Sequence, residues 1–348
     1  MRDMNILLIQ TAFLGDVVLS TPVAKAIKSL YPDSKLTTLT IPAGADVMRA
    51  CPSVDEVMVY DKRNKQKGFS GLFKMASEIR EKSFDVVFSL HKSWRTAALI
   101  KLSKIPTSYG FTKAKANFVY TKTAEREDLE HEILRNLAIL RTVGKEPSEF
   151  EHRMRIEPEE TLLKRVDALL DPFSETKVVG VSPGSAWLTK SWTVEGYVET
   201  INTLCNYGYG VVILGGPGDV KVCNEIATNC PPTVLNMAGK STVAELCAVI
   251  SKLDVLLCND SAPLHIAAAC GTPLVALFCA TIPEFGFGPL GVDSKVLGVD
   301  GLDCRPCGRH GGNKCPTGTH ACRINLASTK VIEACLSFLK QGSAQKIV

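Results

Sequence analysis

Twice along its length this chain alternates short apolar runs with amphipathic stretches, and that double alternation constrains the fold more than any single motif. Apolar runs at 5–9, 36–41, 56–60 and 85–90 carry a strand signature, and 16–30 and 69–81 repeat apolar residues at helical spacing. A charged stretch, 124–170, lacks strand signals and reads as helices joined through Glu157-Pro158. The pattern then restarts, with strands expected at 177–182, 210–214, 233–235, 254–258 and 274–278 and helices at 194–205, 220–228, 243–250 and 263–269. Strands joined through crossover helices make parallel sheets. Two such series predict two doubly wound α/β domains facing a cleft, with ligands at the carboxyl ends of the strands where the strand order reverses.

Composition fits that reading. A chain of 348 residues with 45% hydrophobic content can bury two cores. No apolar run reaches the length of a membrane span, and the opening strand pattern lacks a signal-peptide cleavage region, so a cytoplasmic protein is expected. Between Asp55 and Lys122 there are fourteen Lys/Arg against six Asp/Glu. That local excess points to an anionic partner such as a phosphorylated glycolipid or a membrane surface, with Lys62, Arg63, Lys65 and Lys67 as the expected anchor, and not to nucleic acid. Nine of the thirteen cysteines are scattered through apolar segments and read as small buried hydrophobes. The other four, Cys304, Cys307, Cys315 and Cys322, lie close together in a turn-rich segment. Their spacing leaves three states open: a structural zinc site with His310 and His320 as alternative ligands, disulfides, or reduced thiols.

Five turns carry candidate chemistry. After the first strand, Gly15-Asp16 stands where a dinucleotide-binding fold would place three glycines, which argues against a nicotinamide cofactor. Asp16 is either a helix cap or a base placed to take a proton from a hydroxyl. After the first strand of the second series, Ser182-Pro-Gly184-Ser185 leads to Lys190, a grouping in which backbone N–H groups can approach phosphate and the lysine can neutralise charge. Gly215-Gly-Pro-Gly-Asp219 is a glycine turn ending in a carboxylate, suited to ribose hydroxyls or to a helix cap. In Asn259-Asp260-Ser261-Ala262-Pro263-Leu-His265, Asp260 or Ser261 is expected to cap a helix whose first N–H groups, from Ser261 to Leu264, face an anion. His265 is either buried structurally or part of that site. Lys92 and Arg95, following the strand at 85–90, are candidate binders of acceptor carboxylates or phosphates.

Taken in order, Gly15-Asp16 with Thr21-Pro22, the Ser182 segment with Lys190-Ser-Trp192, Gly215-Gly216 and Asn259 to His265 resemble the ADP-heptose:lipopolysaccharide heptosyltransferases of glycosyltransferase family nine. The Cys304-Arg-Pro-Cys307 segment resembles the second-heptose branch, heptosyltransferase II. The resemblance implies a GT-B fold of two Rossmann-like domains: residues 1–170 binding acceptor, 171–326 binding the ADP-sugar, and 327–348 a helix and tail packing back towards the first. It implies inverting transfer of heptose from ADP-L-glycero-β-D-manno-heptose to a lipid A-linked inner-core acceptor, with no metal and no cofactor, by a monomer peripheral on the cytoplasmic face of the inner membrane. Asp16 resembles the catalytic base and Lys190 the diphosphate-stabilising residue. Asp260, Ser261, Ala262 and His265 match the donor loop, while Ser182, Gly184, Ser185, Gly215 and Asp219 complete the donor set. Transfer of a first or later heptose, a Rossmann-type oxidoreductase and a non-catalytic glycolipid-binding protein are the competing readings.

Overall fold

The computed structural model describes residues 4–127 and 129–340, and the chain divides into two compact units between Glu157 and Pro158. The first unit runs β1 (Asn5–Gln10), α1 (Leu14–Val18), α2 (Thr21–Leu30), β2 (Lys35–Thr40), α3 (Pro42–Arg49), β3 (Glu56–Val59), α4 (Gly68–Glu81), β4 (Val86–Ser89), α5 (Trp94–Ser103), β5 (Thr107–Phe111), β6 (Lys122–Ala124) and α6 (Glu132–Leu137). Its sheet has the order β3-β2-β1-β4-β5-β6, and every pairing is parallel. Helices cover both faces of such a sheet, so central strands read as unbroken apolar runs. Ile6, Leu7, Leu8 and Ile9 of β1 are accordingly fully buried, each contributing about 1.5–3 kcal/mol of hydrophobic stabilisation.

The expected helix at 16–30 is two helices. Pro22 cannot donate into a preceding turn, and Ser20, whose Oγ donates to the Val17 carbonyl, stands at the break.

The second unit runs α7 (Glu160–Leu170), β7 (Val178–Ser182), α8 (Val194–Asn206), β8 (Gly210–Ile213), α9 (Val220–Thr228), β9 (Leu235–Asn236), α10 (Val243–Ser251), β10 (Val255–Asn259), α11 (Ala262–Cys270), β11 (Leu274–Leu277), β12 (Ser294–Leu297), α12 (Ala321–Ile324) and α13 (Ser328–Lys340). Its sheet, β12-β11-β10-β7-β8-β9, repeats the topology of the first and is also all parallel. In each sheet the strand order reverses at one place, between β1 and β4 and between β7 and β10. Ligand sites of doubly wound sheets lie at the carboxyl ends of those strand pairs.

Two expected boundaries differ from the structure. Helix α7 was expected to close the first domain at 170, but it packs on α10 of the second unit, tied there by Arg165 to Glu245 at 2.7 Å and Lys252 to Asp167 at 2.8 Å. Within 327–348, α13 packs against α8, β10 and β11 of the second unit, while residues 341–348 lie outside the described residues. Among the described residues no helix is long and apolar enough to cross a membrane.

Candidate functional site

At the switch point of the first unit, the turn after β1 carries Thr11 to Asp16 and the turn after β4 carries His91 to Arg95. His91 joins them: its Nδ1 lies 3.0 Å from Thr11 Oγ1 and 2.8 Å from Thr96 Oγ1. Burial, and then the nearby Lys62 ammonium, push the imidazole down to about 4, so it is neutral at physiological pH. Asp16 sits in the first turn of α1, and its Oδ2 accepts the Phe13 N–H at 3.1 Å. The cap reading is therefore met, yet the carboxyl is not an ordinary surface acid. Burial, and then the Glu132 carboxylate, push it up to about 6, against the Phe13 N–H and the Arg126 guanidinium, which favour the charged form. Glu132 is itself buried in an ion pair with Arg126, and its helix is held to the α1–α2 region by Asn136 Nδ2 donating to the Leu19 carbonyl at 3.3 Å. A carboxyl poised near neutrality at a switch point is what a general base requires.

The neighbouring cations have other work than expected. Arg95 does not reach out for an acceptor: it donates to Tyr60 Oη at 2.7 Å, to the Gln66 carbonyl at 3.0 Å and to the Gly68 carbonyl at 2.8 Å, fastening the β3–α4 loop. Lys92 is placed 3.6 Å from Glu127. Lys62 is half-buried and donates to the Thr11 carbonyl at 2.7 Å, which makes it a support of the Asp16 loop and removes it from the expected membrane anchor.

In the second unit the parallel register sets Ser182 at the end of β7 beside Cys258 of β10, so the two following loops meet. Fully buried Asn259 holds them together. Its Nδ2 donates to the Pro183 carbonyl at 2.7 Å, and its Oδ1 accepts from Trp192 N–H at 3.1 Å and Tyr197 O–H at 2.9 Å. Lys190 Nζ and Asp260 Oδ2 then meet at 2.6 Å with side chains only 14% and 8% exposed. Thr281 Oγ1 donates to the same Asp260 oxygen at 2.7 Å.

Asp260 therefore does not cap α11: its Oδ2 is shared by Lys190 and Thr281. Ser261 occupies the N-cap position, but its hydroxyl donates to the Asn259 carbonyl at 3.2 Å and makes no cap bond. Of the N–H groups expected to face an anion, Leu264 donates to the Ser261 carbonyl and Pro263 has none, which leaves Ser261 and Ala262. His265 is buried within α11.

Ser182 is buried, while Ser185 Oγ accepts the Trp187 N–H at 3.4 Å. Asp219 makes no cap bond to α9. Its Oδ2 accepts the Gly216 N–H at 2.9 Å, and its carboxylate lies so close to Gly184 that a Cβ there would fall 2.3–2.5 Å from it. Gly215 is packed against the same residue, with a Cβ position 2.9 Å from Asp219 Cβ. Gly184→Ala is thus expected to displace Asp219 and destabilise the second unit by about 1–3 kcal/mol. Urea unfolding of the single variant and of Gly184→Ala/Asp219→Ala tests this, because the second substitution should recover most of the loss.

Sequence reasoning missed the residues that hold Lys190. Thr189 and Gly312 exchange two bonds, N–H to carbonyl at 3.0 Å and Gly312 N–H to Thr189 Oγ1 at 2.8 Å. Arg323 Nε donates to the Ser191 carbonyl. The cysteine-bearing segment is thereby laid along the lysine loop, and Arg305 anchors it by donating to the carbonyls of Phe278, Cys279, Thr281 and Val299. Its four cysteines are free thiols, and among the described residues no group of three or more His, Cys, Asp or Glu is placed to hold a metal ion. The only signal in the sequence was the nearness of Cys304 to Cys322 in the chain, which says nothing of their neighbour at Lys190.

The family described as glycosyltransferase family 9 (heptosyltransferase) matches residues 72–315. Lipopolysaccharide heptosyltransferase 3 of Escherichia coli is 29% identical over 281 residues, 77% of this chain and 82% of the relative. A glycosyltransferase family 9 structure from Veillonella parvula superposes with a TM-score of 0.87 at 24% identity, covering 98% and 99% of the two chains. The E. coli ADP-heptose lipopolysaccharide heptosyltransferase II structure gives 0.82 at 21% identity over 98% and 100%. These two likenesses carry the fold.

Proposed function

Because the chain belongs to glycosyltransferase family 9, the heptosyltransferases, we propose that it moves heptose from ADP-L-glycero-β-D-manno-heptose to the inner core of lipopolysaccharide and that the heptose it adds is the second. It has the GT-B fold, with two parallel six-stranded units. The observation that carries the catalytic reading is Asp16, a carboxyl held at about 6 at the switch point of the first sheet. In the proposed reaction an acceptor hydroxyl gives its proton to Asp16 as its oxygen bonds to the anomeric carbon. The bond from that carbon to the diphosphate oxygen breaks, and ADP departs with the electron pair. One displacement inverts the anomeric centre.

The second unit supports donor binding by the same physical logic. Lys190, the Ser261 and Ala262 N–H groups and the Ser182–Ser185 turn are the groups there that can meet a diphosphate. Asp219 is read as the ribose acid, held in place by the Gly216 N–H that its Oδ2 accepts. Such an enzyme would work at the cytoplasmic face of the inner membrane, where its acceptor is anchored.

Product mass after incubation with ADP-heptose tests the reading, using one acceptor that lacks heptose, one carrying a single heptose and one carrying two. A single heptose added to the second acceptor alone is expected. Addition to the first or third alone keeps the activity and changes the step, as the relative named heptosyltransferase 3 keeps in view. No addition to any of the three would overturn the reading.

A further inference from the structure

Because every strand of the first sheet runs the same way, the turns after β1, β3, β4 and β5 emerge along one edge. That edge exposes large aromatic side chains: Phe69 at 70% and Phe73 at 56%, one turn apart on α4, Trp94 at 51% at the start of α5, and Phe118 at 85% in the turn after β5. Single exposed aromatics are common on soluble proteins, whereas a set of them on adjoining turns marks an interaction surface.

The turns adjoin by direct bonds. Arg95, beside Trp94, donates to the Gly68 carbonyl at 2.8 Å, which brings the starts of α4 and α5 together. Lys115 N–H donates to the Lys92 carbonyl at 3.0 Å, which brings the Phe118 turn to the α5 turn.

Charge on the same turns selects the partner. Arg63, Lys65, Lys67, Lys74, Lys113 and Lys115 are exposed and have no ion pair among the described residues. The acid of the β3–α4 turn, Asp61, is engaged by its own turn, accepting from Asn64 N–H at 3.2 Å and Lys65 N–H at 3.3 Å, and exposed Glu127 faces Lys92 at 3.6 Å. A protein partner would need matching acids and an apolar pocket for each ring. A bilayer needs neither, because its headgroup region accepts aromatic rings at the apolar boundary and cations at the phosphates in whatever arrangement they come.

We propose that this edge of the first unit is a docking surface for an anionic phospholipid bilayer, with Phe69, Phe73, Trp94 and Phe118 entering the headgroup boundary and the exposed lysines and Arg63 lying against lipid phosphates. The proposal rests on the reading of the first unit as the acceptor side only for its purpose; the surface itself is defined by its own residues. It differs from the anchor expected from sequence in three ways. Lys62 is excluded, Lys74, Lys113 and Lys115 are added, and aromatic insertion joins the charge.

The test uses the full chain carrying Trp187→Phe, so that Trp94 is the one exposed tryptophan beside buried Trp192. Addition of vesicles containing phosphatidylglycerol is expected to shift its emission to the blue and to sediment the protein, and phosphatidylcholine vesicles are expected to do neither. The variant Phe69→Ser/Phe73→Ser/Phe118→Ser is expected to lose more than about tenfold in vesicle binding while its circular dichroism and melting stay unchanged and it still glycosylates a deacylated, soluble acceptor. A Trp94 emission that does not move, or a triple variant that binds vesicles as well as the parent, would overturn the proposal. So would a parent that dimerises through this surface, with the triple variant monomeric and vesicle binding unaffected, which would assign the edge to a second copy. Transfer to the soluble acceptor is scored separately: its absence with vesicle binding intact sinks the enzymatic reading and leaves the surface standing.

Discussion

Asp16→Asn is expected to lower kcat by about 10²–10⁴-fold while leaving ADP affinity unchanged, since the amide keeps the acceptor for Phe13 N–H but cannot take a proton. Full activity in this variant would remove Asp16 as the base. The wild-type pH profile should show the same group. The base works ionised, so kcat/KM should rise with pH through about 6, well above the range of an unperturbed aspartate. Stability should move the other way. The folded carboxyl holds its proton up to about 6 and the unfolded one only to the ordinary aspartate value of 3.8, so the native state is favoured at low pH and loses that advantage as pH rises between those values. Above about 6 the native fold carries a half-buried charge that the Glu132 carboxylate disfavours. Asp16→Asn removes it and is expected to be more stable than the wild type at pH 8, by up to about 3 kcal/mol at about 1.4 kcal/mol per tenfold change in proton affinity. The gain should vanish near pH 3. Denaturant titrations at the two pH values check it, and a variant less stable at pH 8 would mean that burial does not set this carboxyl.

The strands that positioned the sites could be read because they are the buried centres of parallel sheets. In β1, β4, β7, β8 and β10 nearly every residue is apolar, since both faces are covered. The outer strands on one side of each sheet could not be read the same way, although the opposite edges, at 56–60 and 233–235, were. Thr-Ser-Tyr-Gly-Phe of β5, the three residues of β6 and the half-exposed Ser294–Leu297 lack a continuous apolar run, and none was expected as a strand. For the sites, residue identity was legible and partnership was not. Lys190 and Asp260 were both singled out, yet their contact depends on β7 and β10 pairing in register across an intervening stretch of chain, which no local pattern records. Arg95 shows the same limit in reverse: a cation at a strand end invites an anion, and only the fold reveals that three oxygens of its own chain already take its donors.

The Lys190–Asp260 contact raises the sharper question of whether this lysine serves the fold or the chemistry, and substitutions can separate the two. Removing one partner of a pair this buried leaves an uncompensated charge, so Lys190→Ala is expected to cost about 3–5 kcal/mol of stability. If Lys190 also stabilises a departing diphosphate, kcat should fall by about 10²–10³-fold, the loss typical of one preorganised donor to developing charge. A fall in activity alone would not distinguish the roles, because a loosened loop would produce it too. The double variant Lys190→Met/Asp260→Asn does. It removes both charges, keeps much of the lysine's bulk and leaves an oxygen for Thr281, so most of the stability should return. Activity should not return with it, since the cation is still missing. Recovery of turnover together with stability would make Lys190 a structural counter-ion to Asp260. Asp260→Asn alone completes the argument: it frees the ammonium from its carboxylate, and ADP should then bind at least as tightly as to the wild type, measured by calorimetry, if the diphosphate and Asp260 compete for the same charge.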